Sequence, residues 1–137
     1  MPKNIKTIPT SEYDAVISTV EKYVEGLRVG NNEVIAKAFN KEATMYGFTT
    51  EGDLLGGPIS NLYDYVKQYG DAPKIKTRLD LLAITPSTAV VRVDMEGDAA
   101  GTDYTDFHTL IKLDGRWQII AKTFHAYASS ASQDTLD

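Results

Sequence analysis

The sequence contains no cysteine, two histidines and one tryptophan. Without cysteine there are no disulfide staples, no thiolate zinc sites and no cysteine nucleophile. Positive charge is also scarce: 14 Lys and Arg stand against 19 Asp and Glu, a formal net charge of −5, so there is no basic footprint for nucleic acid or anionic membrane. No run approaches the roughly 20 apolar residues that a membrane helix needs. Nor does a basic segment lead into an apolar stretch and a small-residue cleavage site, and the expectation is a cytoplasmic protein. No G-x-S-x-G elbow occurs, and Gly52-Asp53-Leu54-Leu55-Gly56-Gly57 lacks both the lysine of a phosphate loop and the spacing of a dinucleotide fingerprint. That segment reads as a turn-rich loop, and no cofactor is expected.

What remains is the composition of one globular domain, with 137 residues and 42% hydrophobic content. The reading is an extension over 1–10, a single domain over 11–127 and a flexible polar tail over 128–137. In residues 11–31, Tyr13, Val16, Ile17, Val20, Val24 and Leu27 recur at helical spacing, with Ser11 and Asp14 as a capping box and Gly30 as the stop. A second short helix follows an Asn31 or Asn32 cap, and ATMYGF at 43–48 reads as a strand. Pro58 suits the first turn of a third helix that ends at Gly70. From Lys74 the period changes to alternation through four strands, separated by Thr85-Pro86-Ser87, a loop from Glu96 to Gly101, and Asp114-Gly115. Helices followed by a long antiparallel sheet make an α+β fold with helices against one sheet face.

Asp114-Gly115 between two apolar runs is a type I′ hairpin signal, with Leu113 and Arg116 as the closing pair. Counting outward at regular register sets His108 opposite Ala121, Asp106 opposite Thr123 and Tyr104 opposite His125. All of these then share a face with Leu110, Lys112, Trp117 and Ile119. On that reading Asp106 lies between two histidines at the polar end of an apolar surface, the usual form of a small-molecule site. Asp106 is the candidate base and His108 its partner or the acid. Tyr46, Tyr63, Tyr104, Trp117 and His125 are candidate ligand contacts. The alternative is a polar pair that satisfies itself in the core, with His125 a rim residue. Four residues of strand, on the order of 13 Å, separate His108 from His125, which disfavours a shared metal. Lys122 falls on the opposite face, so a pair with Asp106 is disfavoured. Phe107, Ile111, Ile120 and Phe124 form an apolar stripe on that other face, the expected surface of a two-fold homodimer. The alternative is exchanged faces, with the helices over the phenylalanines.

The stretch YTDFHTLIKLDGRWQIIAKTFH resembles the final hairpin of nuclear transport factor 2-like proteins, in particular the bacterial lumazine-binding and SnoaL-like group. The opening helix, Lys41-Glu42-Ala43, Gly52-Asp53 and the helix after Pro58 follow the same order, over roughly residues 10 to 127. The resemblance implies a cone-like roll, three helices against a strongly curved antiparallel sheet, commonly dimeric through the sheet's outer face. It implies a small apolar or cyclic ligand, and an isomerase, cyclase or dehydratase with an acidic residue in the cone, or a binding module without catalysis. Fold alone does not choose among these.

Overall fold

The computed structural model describes residues 4–128. Apart from Ala128, the expected tail lies outside the described residues, as do the first three residues of the N-terminal extension. The chain runs α1 (Thr10–Val29), α2 (Asn32–Ala36), β1 (Phe39–Phe48), β2 (Leu54–Pro58), α3 (Ser60–Tyr69), β3 (Lys76–Ile84), β4 (Thr88–Glu96), β5 (Asp103–Leu113) and β6 (Arg116–Tyr127).

Helix α1 buries Val16, Val20, Tyr23, Val24 and Leu27, one stripe at helical spacing. It stops where expected, with Gly30 left-handed at φ 67°. Its start differs from the capping-box reading: Pro9 precedes the first turn and no side chain caps it. Asn31 does cap α2, its side chain accepting from the backbone N–H groups of Glu33 and Val34. Pro58 ends a strand and does not open α3, because Leu54–Pro58 pairs with β1 in place of forming a loop.

The sheet has six strands in the order β2-β1-β6-β5-β4-β3. Strands β3 to β6 form the expected antiparallel meander, but β1 lies parallel to β6, so the sheet is mixed and not purely antiparallel. Besides the shift between Phe39 and Thr44 where β1 meets β6, two extra residues interrupt the ladders of the meander. Leu82 has no partner between the Leu81–Val91 and Ala83–Val90 pairs, and Ile120 has none between Leu110–Ile119 and Thr109–Ala121. Through Val91–His108 and Val90–Thr109 the two interruptions fall on neighbouring rows, one on the edge strand β3 and the other on the interior strand β6. Bulges bend the strands that carry them, so this line is a crease. The helices lie on the inner side of the sheet, over Val91, Val93, Leu110 and Ile119, each fully buried. Burying such side chains contributes about 1.5–3 kcal/mol each.

Candidate active site

The closing hairpin begins as the sequence indicates. Asp114 and Gly115 have φ of 51° and 75°, as a type I′ turn needs, and Leu113 pairs with Arg116, Lys112 with Trp117, and Leu110 with Ile119. Beyond the bulge at Ile120 the register moves by one residue. His108 faces Lys122, Asp106 faces Phe124 and Tyr104 faces Ala126. Everything in β6 after Ile120 therefore sits on the opposite face from the one that unbroken alternation gives.

Three corrections follow, and one alternative falls. Lys122 points inward, with Nζ 3.9 Å from Asp106 Oδ2, where regular pairing had turned it away. Phe124 also points inward and lines the cavity, so it leaves the expected dimer stripe. His125 turns outward, exposed, with its ring edge-on to Tyr127 at 4.9 Å. The faces are not exchanged as a whole, because α1 packs over Asp106 and not over Phe107: the Tyr23 hydroxyl donates to Asp106 Oδ2 at 3.3 Å.

The result is a buried polar cluster at the inner end of the roll. Asp106 is 1% exposed and His108 fully buried. Asp106 Oδ2 is the hub, meeting Tyr23 Oη, His108 Nε2 at 3.4 Å and Lys122 Nζ. The rings of Tyr23 and Phe39 flank His108, with centroids at 5.0 and 6.0 Å. Two polar atoms have no hydrogen-bond partner among the described residues of this cluster: Asp106 Oδ1 and His108 Nδ1. Leaving a buried polar atom unsatisfied costs about 1–3 kcal/mol, so two in one cluster call for an explanation.

The electrostatics separate the pair. Burial pushes the Asp106 carboxyl upward, but the Lys122 charge and the hydrogen bonds from His108 and Tyr23 outweigh it and hold the group below its ordinary value. For His108 burial wins: it lowers the imidazole below its ordinary value despite the opposing pull of Asp106. At neutral pH the pair is thus a carboxylate and a neutral imidazole. Facing an anionic acceptor, His108 Nε2 carries the ring proton and Nδ1 the bare lone pair. Burial, and then the Asp106 charge, push the Tyr23 phenol well above its usual range, so it stays a proton donor.

Above this cluster opens a cavity of about 300 Å³. Tyr23, Lys122, Met95 and Phe124, all buried, line its inner end; Thr50, Tyr69 and Ala100, all exposed, stand at its mouth. Asp106 and His108 do not touch the cavity and sit directly behind Tyr23 and Lys122. On one wall the Tyr65 hydroxyl donates to Asp98 Oδ2 at 2.6 Å and lies 3.5 Å from the Tyr104 hydroxyl. Asp98 Oδ1 accepts from the backbone of Ala100 and Thr102, which fixes the β4–β5 loop. Burial pushes the Tyr104 phenol up to about 12.

Of the seven residues singled out from sequence, the structure brings Asp106, His108 and Tyr104 to this region. Trp117 shares their face at its far end, where its Nε1 donates to Glu12 Oε2 at 2.7 Å, away from the cavity. Tyr63 is half-buried outside the cavity lining, its carbonyl accepting from Asn32 at 3.0 Å. Tyr46 lies on the outer face, 48% exposed. Sequence reasoning missed Tyr23, Tyr65, Asp98 and Lys122. Tyr23 carried a usable signal, because positions 16, 20, 23, 24 and 27 form one helical stripe. For Lys122 the only hint was the apolar run Ile119-Ile120-Ala121, where strict alternation fails.

With this geometry in view, known proteins supply the family. The sequence matches the family described as "Putative lumazine-binding" over residues 11–125. The chain belongs to that family, within the NTF2-like proteins. A protein called Aldolase FrzH, from a Cladobotryum species, is 44% identical over 122 residues, which span 89% of this chain and 97% of that one. Among solved structures, an NTF2-like protein of unknown function from Shewanella baltica OS155 superposes with TM-score 0.83 at 29% identity, covering 90% of this chain and all of its own. A ketosteroid isomerase-like protein from Erwinia carotovora atroseptica superposes with TM-score 0.69 over 88% of this chain and all of its own; at 13% identity it shares the fold alone. No helix among the described residues is long and apolar enough to cross a membrane.

Proposed function

We propose that this family member is an enzyme acting on a small carbonyl-bearing, apolar or cyclic molecule by cofactor-independent proton transfer, with Asp106 as the base. The observation that carries this reading is the unsatisfied cluster beneath an apolar cavity. A core that existed only for packing would satisfy Asp106 on both oxygens, whereas here Oδ1 has no partner among the described residues and the residues masking Asp106 both face the cavity. Charged and polar groups held ready in a buried site are what acid–base catalysis uses. Because Asp106 lies behind Tyr23 and Lys122, the proton passes through one of those two groups. His108 holds the carboxylate in place from below. Tyr104 and Tyr65 offer hydroxyls to the ligand's oxygen, while Met95 and Phe124 face its apolar body. The similarity to a protein named an aldolase supports a carbonyl substrate.

The test is deuterium exchange in D₂O. Nuclear magnetic resonance would follow loss of the α-hydrogen signal in a panel of cyclic ketones and β-hydroxy ketones. Wild type accelerates exchange for at least one compound; Asp106→Asn, which keeps the side-chain shape and whose fold circular dichroism checks, abolishes it. Exchange that is unaccelerated across the panel, or unchanged in the variant, overturns the reading.

A homodimer through the outer sheet face is part of the same proposal, on a different set of residues from those first expected. Phe107 keeps its place there, 41% exposed, with Ile111 and Ile120 half-buried. Tyr46, Phe48 and Tyr127 extend the exposed aromatic surface across β1 and β6. Sedimentation that finds only monomer at high protein concentration removes this part.

A further inference from the structure

Lys122 is the one lysine or arginine lining the cavity among the described residues, and its setting differs from that of a structural cation. It is 5% exposed, with Nζ 4.6 Å from the Phe124 ring centroid and 5.9 Å from that of Tyr23. Its counter-ion, Asp106 Oδ2, stands at 3.9 Å, beyond hydrogen-bond reach. Lys112 shows the structural alternative in the same hairpin: it is half-buried and closes on Glu12 Oε1 at 2.6 Å. An amine held in apolar surroundings, next to a base but not tied to it, is the arrangement that turns lysine into a nucleophile.

We propose that Lys122 condenses with the carbonyl carbon of an aldehyde or ketone in the cavity to form a covalent iminium. Asp106 takes a proton from the ammonium, and the freed nitrogen lone pair forms the C–N bond while the carbonyl π pair moves onto oxygen. That oxygen receives a proton from the Tyr23 hydroxyl, which is reprotonated by the proton Asp106 holds, giving a carbinolamine. A second proton leaves nitrogen for the hydroxyl, the C–O bond breaks and water departs. The net change is carbonyl plus ammonium to iminium plus water, with no oxidant or reductant. The iminium then draws electrons from the neighbouring C–H bond, whose proton reaches the Asp106 carboxylate through the Tyr23 hydroxyl, which takes it up as it gives its own to Asp106, and an enamine forms. This rests on the carbonyl reading above and deepens it: it assigns the group that activates the substrate.

Reductive trapping tests it without turnover. The protein is incubated with propanal or cyclohexanone and sodium cyanoborohydride near neutral pH, then analysed by intact mass and peptide mapping. Lys122 becomes a secondary amine on the order of tenfold faster than any surface lysine, and Asp106→Asn slows its labelling. Lys122→Arg keeps the charge and removes that label, with circular dichroism confirming its fold. Labelling at Lys122 no faster than at surface lysines overturns the proposal. So does full α-hydrogen exchange in Lys122→Arg, which would leave Lys122 as a cation binding the carbonyl oxygen and the acid–base reading intact. Trapping at Lys122 without any accelerated exchange does the reverse, since the nucleophile stands and the proton-transfer reading falls.

Discussion

Two carboxylates meet the inner face of the β5–β6 hairpin, one on each side of the Ile120 bulge, and the structure treats them differently. Near the turn, Glu12 reaches in from α1 and both its oxygens are used, one by Lys112 and the other by Trp117. Those bonds, led by the one from Lys112, hold its carboxyl below the usual range. Past the bulge, Asp106 is far more buried, yet it concentrates three neighbours on one oxygen and leaves the other bare. Both meet the same helix and the same two strands, Glu12 at a partly exposed end and Asp106 in the buried interior, where an unused oxygen is the costlier. Glu12 pins α1 to the sheet, whereas Asp106 keeps bonding capacity in reserve behind a cavity. Proteins tolerate such unsatisfied groups where chemistry needs them.

The largest effect that separates the two regions is on stability. Asp106→Ala strands the Lys122 ammonium in a buried site and is expected to cost about 3–5 kcal/mol in urea unfolding, whereas Asp106→Leu with Lys122→Met together should fold with near wild-type stability. A single variant as stable as wild type would show that the ion pair is not buried in solution.

Next comes pH. His108 has a folded-state value below its ordinary 6.5, so the unfolded chain takes up a proton that the native state refuses. Stability should therefore fall on acidification from pH 6.5 downward, by at most about 1.4 kcal/mol per pH unit for one proton. Asp106 also has a lowered value, but its contribution is present above 3.8 and goes only as pH falls through its folded value, so the loss just below pH 6.5 belongs to His108. The groups facing His108 are Tyr23, Phe39 and Asp106, with Lys122 beyond. In His108→Gln the slope just below pH 6.5 should flatten, as read by chemical denaturation at a series of pH values.

A smaller change is expected at the anchoring end. Trp117→Phe removes one donor from Glu12 and should lower Tm by a few degrees, leaving the rate of reductive labelling at Lys122 unchanged. A loss of labelling would show that the two regions are coupled. Smallest of all is a chemical footprint with no stability effect: diethyl pyrocarbonate should modify His125 in the native protein and His108 only after denaturation. Modification of His108 in the native protein would show that it is not buried, whereas protection of His125 would point to a partner copy on the outer face.

Most of the architecture could be read from periodicity and punctuation. Gly30, the Asn31 cap and Asp114-Gly115 mark boundaries through local backbone chemistry, and local chemistry is visible in sequence. The parallel pairing of β1 with β6 was not legible, because it joins segments about 80 residues apart (Phe39 with Ile119) and no short motif encodes it. Asp106, His108 and Tyr104 were found because all three lie on β5, whose alternation has no break. Lys122, Phe124 and His125 were placed on the wrong faces for one reason: a single unpaired residue reverses everything that follows it. Tyr23 was missed differently, since a tyrosine in an amphipathic helix reads as packing until its hydroxyl is seen to end on a buried carboxylate.

The position of β1 between β2 and β6 bears on how the protein comes into being. A chain still being synthesised can form α1, α2 and the β1–β2 hairpin early, but the other edge of β1 stays bare until the last strand has been made. The floor of the cavity, which needs Tyr23 from the first helix and Lys122 from the last strand, is thus among the final features to assemble. A fold closed by so distant a pairing is expected to form slowly for its size. Until it closes, it exposes a strand edge that a neighbouring nascent chain can occupy.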